Sequence, residues 1–212
     1  PSGVTGTEFK RFMLRLASSV RNIDPNHILF IEGNIYATDF SALPPFDDNN
    51  MVWAFLKYWN STAQVTIGSY LQLRDGTNKP LWLGESGENS NDWFYEVTRM
   101  VEQNRIGWNW WTHKKIETVT SPVSAPYSDG YEDVLAYLRG LGVRPYADAA
   151  RQALFGMAEN LASERCDYRP DVVAALFDDA FASMSTPYKE LSVPGTISAV
   201  DYDLGANGVA YW

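Results

Sequence analysis

PLWLGESGEN, residues 80–89, carries a short apolar run into a glutamate set between two glycines. Its length and its apolar character suit a strand, PLWLGE, and Gly76 and Pro80 punctuate the chain before it. Three other runs read the same way: ILFIEGN (28–34), MVWAFLKYW (51–59) and IGWNWWTHKK (106–115). Helical patterns lie before and between them. EFKRFMLRLASSVR (8–21) sets Phe9, Phe12, Met13, Leu16 and Val20 on one face at helical spacing and stops before Pro25. Ser61 with Gln64 reads as a capping box that opens a helix to about Arg74. Ser90 reads as the cap of a helix striped by Trp93, Phe94, Val97, Met100 and Val101. Strand and helix alternate four times, which predicts parallel βα units.

After residue 120 the alternation ends. GYEDVLAYLRGLG, YADAARQALFGMAENLASERC and PDVVAALFDDAFASM predict three helices with no strand between them. Residues 185–195 read as a linker. TISAVDYDLGANGVAYW (196–212) alternates and is rich in Gly and Asp, like the opening hairpin of an all-β module.

Composition narrows the function. The chain has 212 residues, 45% hydrophobic and 20% charged, as expected of a globular protein with a sizeable core. A net charge of −9 with no basic cluster argues against nucleic acid, and no apolar stretch reaches membrane-spanning length. Cys166 stands alone, which excludes an internal disulfide and a cysteine-based metal site. His27 and His113 are far apart, and no phosphate loop, dinucleotide fingerprint or nucleophile elbow occurs, so no metal or cofactor is expected. Aromatics reach 14%, with eight Trp and twelve Tyr. Such rings offer a flat apolar face beside a polar edge, a surface suited to sugar rings.

In parallel βα folds the site lies where the carboxyl ends of strands meet the loops beyond them. The polar residues at those ends are Glu32 and Asn34, Tyr58, Glu85, and then Trp111, His113 and Lys114. Glycine lets a backbone approach a ligand closely, and a carboxylate held there among aromatics suits attack on an anomeric carbon. Retaining hydrolysis needs a second carboxyl group about 5 Å away. Glu32 and Glu88 are the candidates in this chain, and spacing does not choose between them. His113 and Lys114 equally fit a solvated strand end, Glu85 could merely anchor a loop, and one of Trp108, Trp110 and Trp111 must be core.

IDPNHILFIEGN, NNMVWAFLKYWN, KPLWLGESGEN and IGWNWWTHKK, in this order, resemble the second half of a glycoside hydrolase family 5 catalytic domain. The resemblance covers residues 8 to about 180. It implies an α/β fold, the C-terminal half of a (β/α)8 TIM barrel (about strands five to eight) with extra C-terminal helices and a short β stub. It further implies a retaining glycosidase that cleaves β-linked polysaccharide in the manner of a cellulase, without a cofactor. Glu85 falls at the family's nucleophile, Tyr58 at the tyrosine that bonds and orients it, and Trp111 at the aromatic beneath the sugar. Asn34, Glu32, Trp59, Asn89, Trp93 and Lys114 become candidate subsite contacts. The acid/base glutamate belongs to an Asn-Glu-Pro motif that this chain lacks, so it is expected upstream and the 212 residues alone are expected not to hydrolyse substrate. The usual His-x-Tyr reads Leu56-Lys57-Tyr58 here, which favours, as an alternative, a non-catalytic polysaccharide-binding protein on a degenerate barrel.

VPGTISAVDYDLGANGVAYW is similar to the first strands of a family 6-like carbohydrate-binding module, with Ala199-Val200 where that family has Ala-Glu. The expected organisation is therefore a partial barrel over 1–184, a linker over 185–195 and a truncated β-sandwich module over 196–212. A β-glucan-like polymer is the expected partner. The full-length protein is expected to be monomeric and secreted, periplasmic or on the cell surface, although no signal peptide is visible.

Overall fold

The structure is a computed structural model and describes residues 3–212. The chain divides into two compact units, residues 1–89 with 96–111, and residues 90–95 with 112–212.

The first unit is built on a parallel sheet of four strands in the order β1 (Leu29–Glu32), β2 (Met51–Lys57), β3 (Leu81–Ser86) and β4 (Gly107–Trp108). Sequence order and sheet order coincide, as successive βα units produce. Helix α1 (Gly6–Arg21) precedes β1. Thr5 accepts from the Glu8 N–H while the Glu8 carboxylate accepts from the Thr5 N–H, so two otherwise orphaned donors are satisfied. Residues 34–37 form one helical turn, α2 (Asn34–Ala37), in which Ile35, Tyr36 and Ala37 all take left-handed φ. A 3-10 turn (Gln64–Ile67) leads into α3 (Gly68–Thr77), and α4 (Asn91–Gln103) comes after β3.

The middle strands carry the core. Trp53, Phe55 and Leu83 are fully buried together with Leu43, Ile67, Val97 and Val101. Phe40 and Phe46 meet Trp53 edge-to-face, and the Trp53 indole donates to Thr77 Oγ1 at 2.9 Å, so its polar edge has a partner. Phe55 stacks on Tyr70 with centroids 4.4 Å apart.

Several expectations need correction. Ser61 Oγ accepts from the Ala63 N–H, and the next turn is 3-10, so no Ser61–Gln64 capping box forms. The run 106–115 is not one strand. β4 stops at Trp108; the Asn109 N–H still donates to the Leu83 carbonyl at 3.1 Å, and its side chain donates to the Gly84 carbonyl at 2.7 Å and accepts from the Trp82 indole at 2.6 Å. The α1 stripe is exposed at Phe12, Leu16 and Val20, and only Ala17 of that helix is buried. Periodicity identifies an amphipathic face but not whether a partner covers it.

In the second unit, β5 (Lys114–Ile116) pairs in parallel with β6 (Val123–Ala125), and β6 pairs antiparallel with β7 (Asp167–Tyr168). The helices are α5 (Tyr131–Leu138), α6 (Ala147–Asn160) and α7 (Pro170–Phe177). The short β7 thus stands between two helices where no strand was expected. Val172, Ala175, Leu176 and Phe181 are buried. Near the C-terminus, β8 (Ser185–Thr186) pairs antiparallel with β9 (Leu204–Gly205). The Asp92 carboxylate accepts from the Asn207 N–H at 2.8 Å and from the Tyr211 hydroxyl.

Candidate active site

Strands β2 and β3 run side by side until Phe55 opposes Leu83, and then the register shifts so that Leu56 opposes Glu85. Gly84 is the extra residue, a bulge. A bulge breaks the alternation of faces and re-aims the side chains beyond it. Leu81 and Leu83 are buried, whereas Glu85 is only partly covered. Thus the apolar strand delivers its carboxylate to an open space.

The Tyr58 hydroxyl donates to Glu85 Oε1 at 2.8 Å. Burial, with the bond to Glu85 next, raises the phenol's pKa above the ordinary tyrosine value. Near neutral pH the phenol therefore keeps its proton and remains a donor.

Two backbone constraints frame this pair. Gly87 has φ 153°, and a Cβ there would stand 2.0 Å from the Trp111 carbonyl oxygen, with which residue 87 shares a bridge. Glycine is required there because the chain bearing Trp111 passes directly against it. Beyond it, the Glu88 carbonyl accepts from the Trp59 indole at 3.0 Å, and Trp59 itself takes φ 44°. The loops after β2 and β3 are thereby tied to each other.

A cavity of about 590 Å3 opens over these residues and includes Tyr58, Glu85, Glu88, Trp59, Trp111 and Tyr36 in its lining. Tyr36, Trp59 and Trp111 are 87%, 70% and 49% exposed, so three aromatic faces are available beside two carboxylates. The volume falls within the range of small-ligand clefts. Leu56 also lines the cavity, as an apolar patch next to the carboxylate.

The structure therefore brings Glu85, Tyr58, Trp59 and Trp111 together, with Glu88 as the second carboxylate of the cavity lining. Glu32 is exposed at the end of β1 and is outside that lining, so this cavity does not pair it with Glu85. Asn34 is likewise outside the lining; its Oδ1 is buried without a hydrogen-bond partner. Asn89 lies in the turn before α4 and is half-buried. Trp93 and Lys114 belong to the second unit. There Trp93 is buried and meets Phe94 edge-to-face, and Lys114 Nζ donates to the Leu161 carbonyl at 2.5 Å. Trp108 and Trp110 pack edge-to-face, half-buried. Sequence reasoning passed over Tyr36, whose signal was an aromatic two residues beyond Asn34 after a strand end, and Lys57, which stands between Leu56 and Tyr58 with no local signal. Among the described residues no group of three or more His, Cys, Asp or Glu side chains could hold a metal ion, and no helix is long and apolar enough to cross a membrane.

No family model and no curated protein matches the chain. Solved structures do resemble it. The cellulose synthase subunit Z of Clostridioides difficile is 13% identical with a TM-score of 0.51, over 82% of this chain and 56% of that one. An endo-β-1,4-glucanase from Xanthomonas axonopodis pv. citri is 14% identical with a TM-score of 0.48, over 77% and 56%. An endo-1,4-β-mannanase from Rhizomucor miehei is 14% identical with a TM-score of 0.42, over 76% and 48%. The chain spans about half the length of these structures. At such identities the likeness is one of fold. The class is α/β, a four-stranded parallel sheet with helices, like half of a (β/α)8 glycoside hydrolase barrel.

Proposed function

We propose that this chain is part of a retaining β-glycanase of the family 5 type, acting on a β-linked polysaccharide with Glu85 as nucleophile. The observation that carries the reading is the 2.8 Å bond from Tyr58 to Glu85 inside a cavity edged by exposed aromatic rings. Those rings offer stacking faces to a glucan-like chain, and the solved structures of similar fold include an endo-β-1,4-glucanase and an endo-1,4-β-mannanase.

The reaction is a double displacement. One Glu85 oxygen attacks the anomeric carbon while a second carboxyl group gives its proton to the departing glycosidic oxygen. The resulting glycosyl ester at Glu85 is then cleaved by water that the same group deprotonates. Tyr58 holds the other face of the nucleophile through Oε1, leaving a defined oxygen for attack. Trp111 supplies an apolar ring beneath the sugar, and Trp59 extends that surface. Asn34, Glu32, Asn89, Trp93 and Lys114 remain proposed subsite contacts in the complete protein. The proton donor is proposed to come from the rest of the barrel, with residues 196–212 as the first strands of a sugar-binding module of a secreted protein.

Leu56 favours a second reading, a polysaccharide-binding protein without catalysis, because an apolar side chain lines the cavity where the resembling family has histidine. One experiment separates the two. The full-length protein is incubated with an activated 2-fluoro-glycoside and digested for mass spectrometry. A glycosyl adduct on the peptide containing Glu85 is expected. Binding of glucan with no adduct would leave only the second reading.

A further inference from the structure

We propose that Lys57 is a positioning residue whose ammonium group clamps the loop after β2 and thereby sets Tyr58 and Trp59 over the cavity. The inference deepens the glycosidase reading and rests on it for the importance of Tyr58.

Lys57 is the last residue of β2 and is 2% exposed. A lone buried ammonium is costly unless its protons are all bonded. Its Nζ donates to Asn60 Oδ1 at 2.5 Å, the Ser61 carbonyl at 2.8 Å and Thr66 Oγ1 at 2.9 Å. Thr66 Oγ1 has one proton, which goes to the Ala63 carbonyl at 2.7 Å, so it presents only lone pairs to Lys57. All three partners are therefore acceptors. Of the side chains, only an ammonium supplies three donors from a single atom with no acceptor of its own.

Those partners span residues 60–66, so the ammonium closes the loop onto the strand that launched it. The same loop bears Tyr58, bonded to Glu85, and Trp59, bonded to the Glu88 carbonyl. Left-handed Trp59 persists only where the surroundings hold it. From the other side, Ser86 Oγ donates to the Lys57 carbonyl at 2.8 Å, linking the same residue to the strand of Glu85. Lys57 thus sits at the junction of both elements that bring the reacting groups together.

Burial lowers the Lys57 pKa to about 8. The titratable groups facing the same cavity are Tyr58 beside it, Tyr36 on α2, Tyr70 on α3, and Glu85 and Glu88 from β3 and the turn after it. A neutral amine keeps two donors and turns a lone pair toward the third acceptor, so the clamp weakens as the proton leaves.

The test uses the full-length protein labelled with 5-fluorotryptophan, with the Trp59 19F resonance assigned by its loss in W59F. No sugar is needed. In the wild type this resonance should shift with a midpoint near pH 8. In K57M it should be displaced already at pH 6.5 and should not titrate, and in K57R the step near pH 8 should be gone because a guanidinium keeps its proton. T66V, which removes one acceptor with little change of shape, should displace the resonance part of the way. A Trp59 resonance unchanged at pH 6.5 in folded K57M overturns the clamp, as does a step near pH 8 that survives in K57R. Should K57M fail to fold, an unchanged resonance in T66V overturns it equally. In the full-length enzyme K57M should lower kcat about ten- to a hundredfold, the scale of an ångström-sized displacement of a reacting group. Because the resonance is read without substrate, a missing adduct at Glu85 would sink the glycosidase reading and leave the clamp standing.

Discussion

The Tyr58 hydroxyl and Glu85 Oε1 lie 2.8 Å apart, although 26 residues separate them in the chain. A hydrogen bond to an ionised group contributes about 1.5–3 kcal/mol, so removing it from the reacting geometry should cost about ten- to a hundredfold in rate. On the glycosidase reading proposed above, Y58F in the full-length protein should therefore lower kcat by that factor. Circular dichroism should be unaltered, since the phenol ring itself remains. A wild-type kcat in Y58F would remove the tyrosine from the mechanism.

Gly87 cannot carry a side chain without moving the Trp111 carbonyl, 2.0 Å from where a Cβ would stand. G87A should destabilise the chain by about 2–4 kcal/mol in denaturant unfolding, combining backbone strain with a steric shift. It should also displace Trp111 and, on the proposed function, weaken oligosaccharide binding at the cavity. Stability equal to wild type would show that the close pass of the two segments is relaxed in solution.

Asp92 holds the C-terminal segment through the Asn207 N–H and the Tyr211 hydroxyl. D92A should make residues beyond 185 cut faster by a nonspecific protease, while the core survives. Burial, with the bond to Asp92 next, raises the Tyr211 pKa. A raised tyrosine pKa contributes stability that is complete below the unfolded value near 10 and is lost as pH rises through the folded value. Ultraviolet titration should therefore show one tyrosine ionising at lower pH in D92A than in the wild type.

Lys57 has the opposite sign. Its folded pKa of about 8 lies below the unfolded 10.5, so between those values the unfolded chain binds more protons. Stability should rise with pH across that window, by on the order of 1 kcal/mol per pH unit, relative to K57M, which lacks the group. The Trp59 loop should loosen as pH rises through about 8, where the folded chain loses this proton. Denaturant midpoints measured from pH 7.5 to 10 in both proteins check the sign, and parallel curves would refute it.

Much of this protein is legible from its sequence because hydrophobic burial leaves a local record. The apolar runs 28–34, 51–59 and 80–89 each contain a strand of the parallel sheet, and Ser90 accepts from the Trp93 N–H as a helix cap should. Glu85 near the end of β3 and Tyr58 just past β2 come from the same alternation, whereas Trp111 lies three residues beyond β4. Anything that depends on a neighbour's position lies outside a one-dimensional pattern. The bulge at Gly84 that re-aims Glu85 arises from pairing with β2. Past Trp108 the Asn109 side chain reaches a carbonyl of another strand. The stripe on α1 is a sound amphipathic face, yet it lies exposed. Lys57 looks like any surface lysine until three acceptors, each contributed by folding the loop back, close around it. Composition and periodicity determine which segments bury their side chains. Which polar groups then meet is decided by register and loop closure, because hydrogen bonds are directional and short and hydrophobic burial is neither.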